Sequence, residues 1–179
     1  EELNNQLFFA CHHCDEREVD RLIDKGAKVT TRDQHGWTPF HWASSKGSIK
    51  CLKLLFQALG DTEKRKRKYA NCPDFITGWT PLHVAAIGAH TNCVEYLLEM
   101  GSELGRSNLM GETSGQCVPK GGFSGEGGRK LAKLLRVELK SNQNRKKDVN
   151  RSENEGKDDY GGEEKYSESK SNNNEEEYK

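Results

Sequence analysis

Cys11-His12-His13-Cys14 is the most ligand-like run in the chain, with four sulfur and nitrogen donors in succession. Zinc takes such donors in tetrahedral array, and a Cys-x-x-Cys pair also supports thiol–disulfide chemistry. One pair supplies half of the usual zinc set, so a metal here needs further ligands from elsewhere. On a helix, Cys11 and Cys14 share a face while His12 and His13 point to different sides. The default for such residues is buried or half-buried thiols. The alternative is a metal- or redox-responsive module built on Cys11, His12, His13 and Cys14.

Two further stretches bear on chemistry. Gly121-Gly122-Phe123-Ser124-Gly125-Glu126-Gly127-Gly128-Arg129-Lys130 precedes a helical apolar pattern, as a phosphate-cradling loop does. Gly-Lys-Ser/Thr is absent, no strand pattern precedes the run, and Gly125-Glu126-Gly127 is not completed by a third glycine at Lys130. The run reads as a turn rather than a nucleotide site. The second stretch, Lys64-Arg65-Lys66-Arg67-Lys68, places five cations in succession. Like charges repel, so this block is expected to be an extended, solvated loop. It suits a nuclear-import signal read by an import receptor, or a contact to an acidic partner or a nucleic-acid backbone. No Ser/His/Asp set, paired-carboxylate motif or His-Glu-x-x-His stands in a supporting context. No catalytic residue, metal or cofactor is therefore expected.

The elements that carry these residues follow from an internal repeat. Gly36-Trp37-Thr38-Pro39-Phe40-His41-Trp42-Ala43 recurs as Gly78-Trp79-Thr80-Pro81-Leu82-His83-Val84-Ala85, at an offset of 42 residues. Ala10 to Ala43 and Thr80 to Thr113 are each 33 residues apart, so the middle interval carries a 9-residue insertion. Apolar residues recur downstream as Val19, Leu22 and Ile23, as Leu52, Leu55 and Phe56, and as Val94, Leu97 and Leu98. Spacings of three and four put each set on one helix face. Thr38 and Thr80 are suited to cap a helix whose first position is Pro39 or Pro81, where a missing N–H costs nothing. His41 and His83 lie one turn in, able to bridge polar groups at the helix start. Gly47 breaks the first helix and starts the turn to the second.

These motifs resemble the ankyrin repeat family, whose consensus includes Thr-Pro-Leu-His followed by Ala. The resemblance runs from about Asn4 to Lys140 and implies an all-α solenoid of helix-turn-helix units with extended loops. The repeats fall at residues 4–32, 33–60, 71–107 and 108–140, with the insertion at 61–70 and a domain over 1–140. The first repeat is a degraded cap, with Gln6-Leu7-Phe8-Phe9 in place of Thr-Pro-Leu-His and Cys14 in place of the turn glycine. In the fourth, Ser114-Gly115-Gln116 departs from Pro-Leu-His, Leu131-Ala132-Lys133-Leu134-Leu135 is its second helix, and the whole repeat is expected to be loosely held. Cys51 and Cys93 take equivalent positions in successive second helices. Helix axes lie about 8–10 Å apart, beyond the Cα reach of a disulfide of about 7 Å, so they are packing residues.

The resemblance also implies function: ankyrin repeats are mostly non-catalytic scaffolds that bind other proteins through loop tips and exposed positions of the first helices. Those positions here are Gln34, His35, Trp37, Trp42, Ser45 and Lys46, then Trp79, Val84, Ile87 and Gly88. The three tryptophans suit an aromatic anchor, as Trp dominates interface energetics. For Trp37 and Trp79, packing on the adjacent loop is the competing role.

Composition bounds the rest. The 179 residues balance 28 Lys+Arg against 28 Asp+Glu, but the balance hides two segments. Residues 141–179 hold 8 basic and 11 acidic residues, with Val149 as their one aliphatic side chain. Such a segment cannot bury enough apolar surface to offset chain entropy and is expected to be a disordered, charged tail. The remaining 140 residues carry a net +3, which makes no broad basic face for reading DNA. No apolar run approaches the roughly 18–20 residues needed to span a bilayer. Six irregularly spaced cysteines do not make a disulfide framework. The chain starts at Glu1 rather than Met, which leaves a removed leader open. An intracellular monomer, in the cytoplasm or the nucleus, is the expectation.

Overall fold

A computed structural model describes residues 1–118 and 130–135. Among them are seven helices: α1 (Glu2–His13), α2 (Glu16–Asp24), α3 (Pro39–Ser45), α4 (Ile49–Ala58), α5 (Glu63–Ala70), α6 (Pro81–Ile87) and α7 (Thr91–Glu99). Residues 130–135 are also helical. The pairs α1/α2, α3/α4 and α6/α7 are the repeating units. Their first helices pack in one row, α1 on α3 on α6, and their second helices in another, α2 on α4 on α7. The glycine-rich run at 121–128 and the charged segment 141–179 lie outside the described residues.

The capping chemistry read from the sequence is in place. Thr38 and Thr80 are the N-caps of α3 and α6, each with proline following and with extended backbone. His41 Nδ1 accepts the Thr38 backbone N–H at 3.1 Å, and His83 Nδ1 accepts that of Thr80 at 3.3 Å. With Nδ1 an acceptor, each Nε2 carries the proton. It donates to the next loop, His41 to Trp79 O at 3.0 Å and His83 to Glu112 O at 3.2 Å. One side chain therefore closes a helix end and ties its repeat to the following one. Burial holds the His41 pKa down at about 4, so the ring is neutral.

Between the helices of each pair the backbone turns left-handed at Cys14 (φ 58°), Gly47 (φ 70°) and Ala89 (φ 54°). Each is followed by an N-cap, Asp15, Ser48 or His90. Asp15 Oδ1 accepts from Glu18 N at 3.0 Å and Ser48 Oγ from Cys51 N at 3.4 Å. His90 instead reaches across to the previous repeat, where its Nε2 donates to Ser45 O at 3.1 Å. A side chain on Gly47 would run into that imidazole.

The apolar stripes meet in one core. Leu7, Val19, Leu22, Phe40, Leu52, Leu55, Phe56, Leu82, Val94 and Leu97 are buried, joined by Leu131 and Leu135. Cys11, Cys51 and Cys93 are free and buried within it as small apolar groups. Burial raises all three thiol pKa values, that of Cys93 to about 11, so none is a ready nucleophile.

One expectation needs correction here. The basic block is not an extended loop: Lys64–Lys68 form the body of α5. Its repulsion is relieved by ion pairs, Arg67 with Glu103 at 2.7 Å and Lys66 with Glu63 at 3.5 Å. Tyr69 then anchors the helix, stacked on Phe40 at 5.9 Å, and Ala70 is fully buried. In the segment after Gly111, Gln116 takes over the part of the missing histidine. Its Oε1 accepts from Thr113 N at 2.8 Å and Thr113 Oγ1 at 3.1 Å. The first helix itself is reduced to turns over 114–118.

Candidate recognition site

The loops leading into the first helices are built on a buried or half-buried Asx side chain. Asp33 Oδ1 accepts from His35 N and Trp37 N, both at 2.9 Å, and its Oδ2 accepts from Trp42 Nε1 at 3.0 Å. Asp74 gathers Ile76 N, Thr77 N, Thr77 Oγ1 and Gly78 N. These bonds hold its carboxyl below the usual carboxylate range against the opposing effect of burial. Asn108 repeats the pattern with Met110 N and Glu112 N, both at 2.9 Å.

Successive loops then lock tip to tip. Phe75 N donates to His35 O at 3.1 Å and Leu109 N to Thr77 O at 2.9 Å. Gly36 (φ 83°) lies so close beneath Phe75 that a Cβ there would sit 2.5 Å from its ring. Only glycine serves both the left-handed turn and that approach.

This scaffold brings three tryptophans together. Trp37, Trp42 and Trp79, with His35, Asp74, Ile76 and Thr77, line a pocket of about 260 Å³. The Trp37 and Trp42 rings are 4.9 Å apart. Trp37 and Trp79 line the pocket while half-buried in the loop layer. Trp79 Nε1 is buried without a hydrogen-bond partner among the described residues. Trp42 and His35 also border a neighbouring hollow of about 620 Å³, lined further by Gln34, Asn4 and Phe8.

The other expected contact residues fall outside this pocket. Ser45 is half-buried, with Oγ donating to Trp42 O at 2.8 Å, and Lys46 is exposed beyond the end of α3. Ile87 is half-buried and Gly88 exposed. Val84 is a correction, being only 6% exposed. It occupies the position of Trp42 in the next repeat, where the shorter side chain is buried.

The Cys-His-His-Cys run is dispersed. Cys11 lies in the core, and the left-handed Cys14 ends α1. His13 packs on Phe9 with ring centroids 4.1 Å apart, and His12 packs on Trp42 at 5.3 Å. Desolvation, with the charges of Lys46 and His13, holds the His12 pKa below the ordinary imidazole range. Among the described residues no group of three or more His, Cys, Asp or Glu is placed to hold a metal ion. The metal-centred alternative therefore has no ligand set among the described residues.

Sequence reasoning missed the apolar loop tips. Phe75, Ile76, Leu109 and Met110 are 63–73% exposed, side by side on successive loops next to the tryptophan pocket. Their signal was a pair of large apolar residues placed one and two positions after Asp74 and Asn108, where Asp33 is followed instead by Gln34 and His35.

Comparison with known proteins agrees with this architecture. The family model described as ankyrin repeats (many copies) matches residues 7–56, and that described as ankyrin repeat matches residues 77–109. Protein VAPYRIN-LIKE of Medicago truncatula is 48% identical over 40 residues, 22% of this chain and 9% of that protein. Ankyrin repeat and SOCS box protein 3 of Bos taurus is 32% identical over 89 residues, 50% of this chain and 16% of the relative. Protein fem-1 homolog A-like of Mus musculus is 33% identical over 116 residues, 63% of this chain and again 16% of the relative. The chain thus spans 9–16% of the length of these relatives. No helix among the described residues is long and apolar enough to cross a membrane. With the capping box, the turn and the loop recurring across both matched stretches, the chain belongs to the ankyrin repeat proteins, whose repeats are non-catalytic protein-interaction modules.

Proposed function

We propose that this chain is a non-catalytic adaptor or regulatory scaffold that binds a partner protein through the tryptophan pocket and the apolar loop tips beside it. The observation that carries the reading is the convergence of Trp37, Trp42 and Trp79, from two repeats, on one pocket flanked by exposed Phe75, Ile76, Leu109 and Met110. Contiguous exposed apolar surface of this kind marks interaction sites, and tryptophans in a preformed pocket supply the binding energy. Gln34 and His35, both exposed, give polar contacts at its rim. Ser45, Lys46 and Ile87 extend the surface along the first helices. The partner is met in the reducing interior of a cell, where Cys11, Cys51 and Cys93 remain thiols. The chain acts as a monomer toward it.

The test is affinity capture with the intact chain, followed by direct binding of the recovered partner to Trp42→Ala and Met110→Ser variants. Each variant should weaken binding by about tenfold or more, with little change in melting temperature for the exposed Met110. Undiminished binding by both variants would overturn the assignment of this surface.

A further inference from the structure

The insertion adds more than a helix. Between α5 and the loops that precede α3 and follow α7 lies a cleft of about 400 Å³. Five cations line it, Arg32, Lys64, Arg67, Lys68 and Arg106, against one carboxylate, Glu103. Glu103 is committed to Arg67, accepting from Nη2 at 2.7 Å and from Nε at 3.3 Å. Among the described residues, Arg32, Lys64, Lys68 and Arg106 have no carboxylate within ion-pair distance. Gathering unpaired like charges on one wall opposes folding, and a bound anion offsets that repulsion.

The floor of the cleft is fixed by bonds within the protein. Arg32 Nη1 donates to Gly36 O and Pro73 O, each at 2.8 Å, and Nη2 donates to Cys72 Sγ at 2.6 Å. Asn71 Nδ2 donates to Arg67 O at 2.9 Å and Gly101 O at 2.8 Å, while its Oδ1 accepts from Glu103 N at 2.7 Å. The insertion is thereby tied to two repeats, and the Arg32 and Arg67 guanidiniums are held in position before any ligand arrives. Such preorganisation removes part of the entropic cost of binding.

We propose that this cleft binds an acidic peptide segment of a partner protein, one bearing a run of glutamate or aspartate side chains. The several separate cations suit several carboxylates along a chain better than one point charge. A single-stranded nucleic acid is a poorer match, because it needs aromatic faces on which bases stack. Among the described residues no aromatic ring lines this cleft, and the Arg32 guanidinium covers the ring of Phe75, 4.8 Å from its centroid. The cleft shares no lining residue with the tryptophan pocket, so the proposal stands independently of that surface.

The basic pentamer itself supplies the control. Lys64, Arg67 and Lys68 line the cleft, whereas Arg65 and Lys66 do not. The experiment measures fluorescence anisotropy of a labelled poly-glutamate peptide titrated with the full chain. Lys64→Ala/Lys68→Ala and, separately, Arg106→Ala should each weaken binding by about tenfold, and added salt should weaken it further. Arg65→Ala/Lys66→Ala, which removes the same charge from the same helix, should change it by less than about twofold. Glu103→Gln frees Arg67 and should tighten binding. Thermal melts confirm that each variant is folded; Arg106 is exposed and its replacement leaves the helices intact. Absence of peptide binding at low salt, or equal loss in the two double variants, would overturn the proposal. So would capture of oligo-dT or phosphatidylserine vesicles in preference to the peptide.

Discussion

His41 shows how much one side chain can carry. Its ring is fully buried, spans the start of α3 and the loop before α6, and has a pKa held down at about 4 by desolvation. In the unfolded chain the ring titrates at its ordinary 6.5. Between those values the unfolded state binds the extra proton, so stability rises with pH. The contribution is complete above about pH 6.5 and is lost as pH falls toward 4, to the extent of about 3 kcal/mol. His83, lowered chiefly by burial, acts in the same direction. Melting temperature should fall steadily from pH 7 to pH 4.5, and a flat profile would contradict this placement of His41. The histidine's role was legible because Thr-Pro-x-His repeats at fixed spacing. The role of Asp33, Asp74 and Asn108 was not. They lie three, four and three residues before their glycines, and their work consists of side-chain bonds to backbone, which leave no apolar periodicity behind.

Among the elements, the turns within helix pairs were read correctly and the insertion was not. Three left-handed residues end α1, α3 and α6 in equivalent places, and one alone is glycine. For an L-residue this conformation costs roughly 1–2 kcal/mol. Cys14 is exposed, so Cys14→Gly gives up little packing and should stabilise the protein by about 1 kcal/mol in denaturant unfolding. Gly47→Ala should do the opposite and more strongly, since its methyl meets His90. A gain from Gly47→Ala would refute the turn geometry. The α5 insertion was misread for a different reason. Five adjacent cations repel in isolation, and the residues that reverse the outcome, Phe40 beneath Tyr69 and Glu103 beside Arg67, are distant in sequence. Tertiary context decided that element, as it often does for short helices.

For the molecule as a whole, each repeat contacts its neighbours through two rows of helices, and the core passes through all of them. Leu97 on α7 is fully buried in that core. Leu97→Ala should cost about 2–5 kcal/mol, a large share of the total stability of a small domain. Because the repeats share one core, the loss should appear as a shifted single transition, read by circular dichroism in urea. An unchanged midpoint would contradict the helix register.

The bonds that join successive repeats do not pass through the chain between them. Trp79 O receives His41, His35 O receives Phe75 N, and Ser45 O receives His90, all spanning an insertion that begins at an exposed, open Gly60 and Asp61. The covalent link at that point is therefore a tether rather than a spacer. It sets how quickly the two halves find each other, while side chains set how they fit. A backbone cut at Asp61 leaves two pieces that still carry matching surfaces, which makes this a natural place for fragment complementation, for circular permutation, and for splicing in a foreign segment.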